Sequence, residues 1–400
     1  MRVLFTTLPG YGHAYPMLPV AAALRDSGHD VLFCCAPGFR QVIEQHGFRT
    51  RGAGPDYRVG QEAGLVRSWG EARAAGDRDY RYTGKVLVEF ASAGMLPDVL
   101  RVAESWQPDL IVRDAVEFSG CVVGEALGIP HATGRDNRFL PPAVWQSEAG
   151  PELDALRAAV GLPPDPGCAM LYRQLGLVSM PPSFVSAVGP GAAPDAREFN
   201  VHVSPAMRFI QPRVVSDPAP ALPDHLAKGE RPLVFVSLGT VINDDDLLDR
   251  IGATAQLLDV DILIAVGPQA GAAVAAPPRS QVTLVARAPV EEALRRSAVV
   301  VTTGASGLTV MALSLGKPVL TVPLAADQPI NALRCEAMGV GVRVSPGATT
   351  AEFAEALGRL LHDPAVAVAA RAVEAECRAL PAPEHAVGLL QALTSTGRRE

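Results

Sequence analysis

Residues 2–37, RVLFTTLPGYGHAYPMLPVAAALRDSGHDVLFCCAP, carry the pattern from which the fold class follows. Apolar runs at residues 3–9 and 31–37 predict two strands. Between them, apolar residues three to four positions apart predict a helix with one apolar face: Met17, Val20, Ala21 and Leu24. A strand, a crossover helix and a second strand predict a parallel sheet.

The same alternation returns along the chain. Strand patterns recur at residues 109–114, 130–133, 233–237, 261–266, 282–285, 299–301 and 318–322, with helical patterns between most of them. We therefore predict an α/β fold with two Rossmann-like β/α/β domains facing each other across a cleft. The predicted bounds are 1–213 for the N-terminal domain, 214–231 for a linker rich in Pro and charge, 232–380 for the C-terminal domain, and 381–400 for a helix that packs back on the first domain.

Composition excludes several classes of protein. The 400 residues are 48% apolar with a net charge of −7, which is globular and lacks the basic surface of a nucleic-acid-binding protein. No apolar stretch reaches 18 residues and the first residues do not resemble a signal peptide, so we expect no membrane span and a cytoplasmic location. The six cysteines form no metal-binding spacing, and we expect buried or free thiols and no metal site.

A histidine follows the first predicted strand, in Gly10-Tyr11-Gly12-His13. The loop is not a dinucleotide-binding GxGxxG motif, because Tyr15 occupies the third glycine position. We expect His13 just before a helix, where the positive end of the helix dipole disfavours imidazolium and keeps the ring a neutral base. A lone histidine in a turn is nevertheless more often structural.

Asp114 ends the strand PDLIVRD and should reach the same edge of the sheet as His13. A carboxylate bonded to one ring nitrogen would orient the imidazole and stabilise its protonated form. The alternative is that Asp114 caps the following helix.

Three further loops with polar side chains follow strands in the second half. In TTGASGLT, residues 302–309, small residues before a helix allow backbone N–H groups to bind an anion such as a diphosphate, although a tight packing turn is an alternative. Asp327 and Gln328 suit sugar hydroxyls, although Asp327 could instead cap a helix. Ser237 ends the strand predicted at 233–237, and Thr240 lies just past it.

Taken together and in order, these motifs resemble the GT-B-fold, family-one inverting glycosyltransferases, most of all the actinobacterial branch that decorates polyketides, macrolides and enediynes. The resemblance spans essentially the whole chain. Five segments carry it: GYGHAYPMLPVAAALRDSGHDV, PDLIVRDAVEFSG, RPLVFVSLGT, APVEEALRRSAVVVTTGASGLT and PLAADQPINA.

The resemblance implies a role for each motif. His13 matches the base that deprotonates the acceptor, and Asp114 matches its carboxylate partner. The N-terminal domain would bind the acceptor and the C-terminal domain the nucleotide-sugar. The residues matching the nucleotide and diphosphate site are Ser237, Thr240, Arg287, Ala288, Thr303, Gly304, Ala305, Ser306, Gly307 and Leu308. Asp327 and Gln328 match the residues that hold the donor sugar.

Three positions depart from the family pattern. Thr303 stands where the family usually has His, and Leu308 stands where it often has Thr. Arg287 replaces an aromatic residue that stacks on the base, although a guanidinium can also stack. We expect a weaker or differently arranged diphosphate site.

The resemblance favours inverting transfer of a deoxysugar from a nucleoside-diphosphate donor of the thymidine type to a sizeable apolar natural-product aglycone. No cofactor or metal is expected, and a homodimer is plausible. We expect the aglycone near Gly12, Trp69, Phe90 and Phe139, although such aromatic residues could equally belong to the core. The alternatives are a non-catalytic helper protein with a degraded diphosphate site and, less favoured, a nucleotide-sugar epimerase or a nicotinamide-dependent oxidoreductase.

Overall fold

The structure is a computed structural model that describes residues 1–75, 81–135, 139–187, 202–215, 217, 219, 221–239, 245–267, 281–324 and 327–396. The chain divides into two compact units. Unit 1 is made of the described residues within Met1–Ser179, Asp195–Ile210 and Pro381–Glu400, and unit 2 of those within Met180–Pro194 and Gln211–Leu380. Each unit contains one parallel sheet with helices, which confirms the prediction of two Rossmann-like domains.

The strands of unit 1 are β1 (Arg2–Thr6), β2 (Asp30–Cys35), β3 (Arg49–Gly52), β4 (Leu110–Asp114), β5 (His131–Arg135), β6 (Gly176–Val178) and β7 (Met207–Phe209). Those of unit 2 are β8 (Leu233–Ser237), β9 (Asp261–Ala265), β10 (Val282–Val285), β11 (Ser297–Thr302), β12 (Val319–Thr321) and β13 (Gly341–Arg343). The described sheets have the orders β3-β2-β1-β4-β5-β6-β7 and β10-β9-β8-β11-β12-β13.

The helices in chain order are α1 (Tyr11–Ala14), α2 (Leu18–Asp26), α3 (Arg40–Glu44), α4 (Glu62–Leu65), α5 (Arg67–Ala75), α6 (Ala93–Trp106), α7 (Ser119–Leu127), α8 (Pro142–Ala158), α9 (Pro182–Ser186), α10 (Asp224–Ala227), α11 (Asp245–Leu258), α12 (Val290–Arg296), α13 (Ser306–Ser314), α14 (Gln328–Ala337), α15 (Thr350–His362), α16 (Pro364–Ala379) and α17 (His385–Thr396). Three 3-10 turns lie at Tyr15–Met17, Pro37–Phe39 and Ala169–Leu171, and a π-helix spans Thr83–Ser92. None of the helices in the described part of the chain combines the length and hydrophobicity of a membrane span.

The strands at the centre of each sheet are buried on both faces, because helices cover both sides. Every residue of β4 is buried, and so are Val3 to Thr6 of β1. The rings of Phe5 and Phe33, which are register partners on β1 and β2, stack with their centroids 4.8 Å apart. The near-continuous apolar runs that predicted these strands are therefore explained by double-sided burial.

Residues 55–100 and 138–190 are rich in Pro, Gly and aromatic residues, yet each range contains a long helical segment. The π-helix at Thr83–Ser92 continues directly into α6, and α8 is 17 residues long. Pro97 and Pro151 lie inside α6 and α8, although proline is typical of helix ends. The buried apolar faces of these helices stabilise them through tertiary packing, which outweighs the local cost of proline.

Two segments belong to a different unit from their neighbours along the chain. Helix α17 returns to unit 1, where it packs on α2 and Gln391 Nε2 lies 3.1 Å from His29 Nε2. Residues 180–187 lie within the predicted bounds of the first domain but belong to unit 2, where α9 packs against α14.

Two pairs of neighbouring strands are topological switch points. From β1 the chain proceeds to β2 on one side and later returns to β4 on the other, and β8 and β11 repeat this arrangement in unit 2. Loops that leave two such strands diverge and open a crevice at the carboxyl edge of the sheet. In register, Thr6 lies opposite Arg113, and Ser237 lies opposite Thr302. The loops that contain His13, Ser237 and Thr303 follow these strands and therefore lie at the two crevices, and Asp114 ends β4 at the first of them.

A buried glutamate caps the helix that follows β4. The carboxylate of Glu117 accepts hydrogen bonds from the backbone N–H groups of Ser119 (2.6 Å) and Gly120 (3.1 Å) and from the hydroxyls of Ser119 and Thr6. Burial raises the pKa of Glu117, and the two hydroxyls, the N–H of Gly120 and the charge of Arg113 oppose that shift. The capping role weighed for Asp114 thus falls to Glu117, and Asp114 is left for another contact.

We predict that Glu117→Gln lowers the free energy of unfolding by about 1–3 kcal/mol, because the amide –NH₂ would face hydrogen-bond donors in a buried position. Urea unfolding followed by circular dichroism measures the change. The matched control is Glu104→Gln on the exposed face of α6, which should leave the midpoint unchanged. Equal midpoints for the two variants would contradict the capping role.

Candidate active site

His13 lies in a one-turn helix after β1. Its backbone N–H and that of Ala14 both donate to the carbonyl of Gly10, each at 3.0 Å. A Cβ on residue 10 would lie 2.9 Å from His13 Cδ2 and 3.1 Å from Val59 Cγ2, so a glycine is required where the imidazole passes. His13 lies inside the one-turn helix α1, which ends at Ala14, and it precedes α2, the helix predicted from the apolar face.

The structure brings His13 and Asp114 together. Nδ1 of His13 lies 2.7 Å from Oδ2 of Asp114, which is completely buried, while the histidine side chain is 20% exposed. With the Nδ1 proton directed at the carboxylate, the ring lone pair is on Nε2, as a general base requires. The contact forms because β1 and β4 are neighbours and both side chains leave the same edge of the sheet.

The contact with His13 and two neighbouring arginines stabilise the ionised form of Asp114. Burial opposes ionisation, but His13 and the guanidinium groups of Arg135 and Arg113 outweigh it and hold the pKa of Asp114 below its usual value. Nη1 of Arg135 lies 3.4 Å from Asp114 Oδ1. Sequence reasoning missed Arg135, although it ends β5 and is the register partner of Asp114. The carboxylate is therefore ionised at neutral pH.

The second crevice contains the small-residue loop between β11 and α13. Gly304 has a φ of +89°, and a Cβ there would lie 2.9 Å from the carbonyl oxygen of Gln328. Thr303 is 2% exposed, so its side chain is almost completely buried. Helix α13 begins at Ser306, and the residue before it, Ala305, makes no side-chain cap. The backbone N–H groups of a first helical turn point out of the helix end. Ser306, Gly307 and Leu308 thus provide the backbone donors that suit an anion.

The residues after β8 border the same crevice. Ser237 ends the strand half-buried, and Gly239 turns the chain with a φ of +89°. Thr240, the other hydroxyl predicted to lie near the phosphates, is outside the described residues.

Asp327 and Gln328 lie at the start of α14, against the small-residue loop. Gln328 Oε1 accepts from the backbone N–H of Leu324 at 2.8 Å, which closes the loop after β12. Asp327 does not cap α14 through its side chain; its Oδ2 accepts from Asn331 Nδ2 at 3.0 Å. The structure thus joins the predicted sugar-binding pair to the predicted diphosphate loop.

Asn331 and Arg334 complete this site, and sequence reasoning did not single them out. Asn331 Nδ2 also donates to the carbonyl of Gly304 at 3.0 Å, and Arg334 Nη1 donates to Asn331 Oδ1 at 3.2 Å. Burial lowers the pKa of Arg334 to about 10, against the influence of Asp327, so the guanidinium stays charged at neutral pH. Their spacing from Asp327 could have identified them, because residues four and seven positions further along a helix lie on the same face.

Arg287 points toward the linker segment. Its Nη1 lies 3.5 Å from Oδ2 of Asp217, and the side chain is 42% exposed. Burial raises the pKa of Asp217 and Arg287 opposes the shift. Ala288 is buried next to it. Stacking of Arg287 on a nucleotide base stays a prediction.

The residues predicted to touch the acceptor are dispersed among core and surface. Gly12 is exposed, with open space around its Cα. Phe90 is half-buried and packs edge-on against Tyr57, with ring centroids 5.3 Å apart. Phe139 is only 2% exposed, which agrees with the core alternative. The side chain of Trp69, on α5, lies outside the described residues.

The chain is similar to known proteins along most of its length. Two models for the erythromycin biosynthesis protein CIII-like family match the chain, the N-terminal domain at residues 22–137 and the C-terminal domain at residues 246–393. The elloramycin glycosyltransferase ElmGT of Streptomyces olivaceus is 30% identical over 403 residues, which is 96% of this chain and 95% of the relative. The L-demethylnoviosyl transferase of Streptomyces niveus is 29% identical over 353 residues, covering 86% and 84%.

A solved structure shows the same similarity in three dimensions. The spinosyn rhamnosyltransferase SpnG, in complex with thymidine diphosphate, aligns with a TM-score of 0.76 and 26% identity over 98% of this chain and 100% of its own. The resemblance seen in the sequence motifs is therefore confirmed. The chain belongs to the erythromycin biosynthesis protein CIII-like family, and it is a glycosyltransferase with the GT-B fold.

Proposed function

We propose that this glycosyltransferase moves a deoxysugar from a thymidine-diphosphate donor to a hydroxyl of an apolar aglycone, with inversion at the anomeric carbon. The observation that carries the proposal is the 2.7 Å contact between His13 Nδ1 and the buried carboxylate of Asp114 at the switch point of unit 1. A histidine held in this way has the form of a general base.

The reaction is a single displacement. The acceptor oxygen attacks the anomeric carbon and forms the new glycosidic bond while the bond from that carbon to the diphosphate oxygen breaks. The hydroxyl proton passes to Nε2 of His13, and the Asp114 carboxylate stabilises the resulting imidazolium. Attack from the face opposite the leaving group inverts the configuration.

The leaving diphosphate gains negative charge as the bond breaks. The backbone N–H groups at the start of α13 and the positive end of its helix dipole can stabilise that charge. Because this stabilisation comes from the chain itself, we propose that transfer proceeds without a cofactor or metal ion. The replacement of the usual His by the buried Thr303 leaves one charged group fewer at this loop, so weaker diphosphate binding remains our expectation.

The nature of the two substrates is inferred from the relatives. SpnG was solved with thymidine diphosphate, and it is a rhamnosyltransferase, which favours a thymidine-linked deoxysugar donor. ElmGT is an elloramycin glycosyltransferase, which favours a natural-product acceptor. In unit 1, the half-buried ring of Phe90 against Tyr57 offers an apolar contact for such an acceptor. A homodimer and a cytoplasmic location stay predictions.

We predict that His13→Ala lowers kcat by about 10²- to 10⁴-fold because the acceptor proton loses its recipient. Binding of thymidine diphosphate should be unchanged, since His13 belongs to unit 1 and the diphosphate loop to unit 2. The control is His362→Ala, an exposed histidine in the last turn of α15. Wild-type turnover by His13→Ala would exclude the base assignment.

For Asp114→Asn, we predict a fall in kcat of up to about 10⁴-fold and an acid limb of the pH–rate profile that moves to lower pH. The pKa of Asp114 lies below its usual value, so the wild-type carboxylate keeps its charge to a lower pH than an ordinary aspartate does. An acid limb at higher pH is therefore not the titration of Asp114 itself. Removing its negative charge favours loss of the imidazole proton, which sets the direction of the shift. An unchanged profile would show that Asp114 does not act through His13.

Calorimetry tests the donor directly. We expect thymidine diphosphate to bind the purified chain with a Kd on the order of micromolar, or roughly −8 kcal/mol. Uridine diphosphate is the matched ligand that differs in the base. Stronger binding of the uridine form, or no binding of either nucleotide, would contradict the proposed donor.

A further inference from the structure

We propose that Asn331 is a positioning residue that couples the diphosphate loop to the carboxylate that holds the donor sugar. The inference rests on the proposed donor site and goes beyond it, because Asn331 itself touches neither the diphosphate nor the sugar. It acts through two groups that do: the loop at Gly304 and the side chain of Asp327.

The amide of Asn331 uses each of its polar atoms in this coupling. Nδ2 donates one hydrogen to the carbonyl oxygen of Gly304 and the other to Oδ2 of Asp327, both at 3.0 Å. Oδ1 accepts from Nη1 of Arg334 at 3.2 Å. Since Asn331 is only 1% exposed, water cannot replace a lost partner without rearrangement. One buried side chain thus sets the distance between two loops.

The residue type matters because the two acceptors require two N–H groups from one nitrogen. Asp at this position has no N–H and would place a second carboxylate against Asp327. The backbone is equally constrained, because a Cβ at Gly304 would lie 2.9 Å from the carbonyl oxygen of Gln328. The diphosphate loop and the start of α14 therefore cannot shift past each other freely.

Asn331 also separates two opposite charges. The Arg334 guanidinium is 4% exposed and lies 5.5 Å from the ring centroid of Phe184 on α9. Helix α9 is anchored in turn, because the backbone N–H of Ser183 donates to Glu376 on α16 at 2.9 Å. Arg334 is thus held in place beside the amide. Without that amide, Asp327 would be drawn toward Arg334 and away from the hydroxyls of the sugar.

The consequence is a specific pattern of donor affinity. The ratio of the Kd for thymidine diphosphate to the Kd for thymidine diphosphate-glucose measures what the sugar adds to binding. Loss of Asp327 should remove that gain. Loss of Asn331 should also remove it, because the carboxylate is then misdirected, and should weaken the bare nucleotide as well, because Gly304 loses its tie to α14.

The experiment is calorimetry of both ligands with the full chain and with Asn331→Ala, Asp327→Ala and the double variant. We expect Asn331→Ala to reduce the sugar-dependent ratio by about tenfold or more. The double variant should show no further reduction beyond that of Asp327→Ala, because Asn331 acts on the sugar only through Asp327. Gln281→Ala is the matched control, since its exposed amide donates to Asp259 at 3.2 Å in the same unit.

A general loss of structure would weaken both ligands equally and leave the ratio unchanged, so the ratio separates positioning from stability. Asn331→Asp is a second variant for the case in which Asn331→Ala folds poorly. It keeps an oxygen that can accept from Arg334 but has no N–H donor, so it should show the same reduction of the sugar-dependent ratio. Additive losses in the double variant, or a ratio like that of Gln281→Ala, would overturn this inference alone. Failure of the wild type to bind either ligand would overturn the proposed donor and this inference with it.

Discussion

The pairing of β1 with β4 in unit 1, and of β8 with β11 in unit 2, is the constraint on which both sites depend. In each sheet the chain leaves the first strand in one direction and returns to the second from the other. Side chains more than 100 residues apart, such as His13 and Asp114, thereby reach the same crevice. Neighbouring parallel strands end at the same edge of the sheet. The backbone hydrogen bonds between strands therefore position the side chains of the two sites.

Two buried carboxylates near the end of β4 have different roles because their neighbours differ. Glu117 faces the start of α7 and accepts from backbone N–H and hydroxyl groups, which is a structural role. Asp114 faces His13 and Arg135, which stabilise its charge. Since Glu117 satisfies the helix, the Asp114 carboxylate need not turn toward it. The Asp114 carboxylate can therefore stay bonded to Nδ1 of His13, which keeps the imidazole oriented.

In unit 2, the groups that face the proposed donor site are mainly neutral dipoles: backbone N–H groups and a side-chain amide. The start of α13 presents backbone N–H groups. The buried guanidinium of Arg334 donates to the neutral amide of Asn331, which lies between it and Asp327. This arrangement leaves the Asp327 carboxylate bonded to an amide instead of neutralised by a guanidinium. Such a carboxylate retains acceptor capacity for hydroxyl groups, which suits a sugar.

The sequence by itself determined the alternating strands and helices, the two Rossmann-like domains and the loops that contain His13, Asp114, Gly304 and Asp327. It could do so because periodicity and strand ends are local features, and parallel topology brings strand ends together. Tertiary structure alone decided the rest. It placed His13 inside α1, gave the cap of α7 to Glu117, and allowed Pro97 within a helix.

Tertiary structure also selected Arg135, Asn331 and Arg334 as partners of the predicted residues. These side chains carry no motif of their own, and many arginines and polar residues have similar local surroundings in the sequence. Their roles follow from distances across strands and between loops, which packing sets and local sequence does not encode. Local pattern therefore predicted which loops follow the strand ends, whereas the hydrogen-bond partners of their side chains were fixed only when the sheets and helices packed.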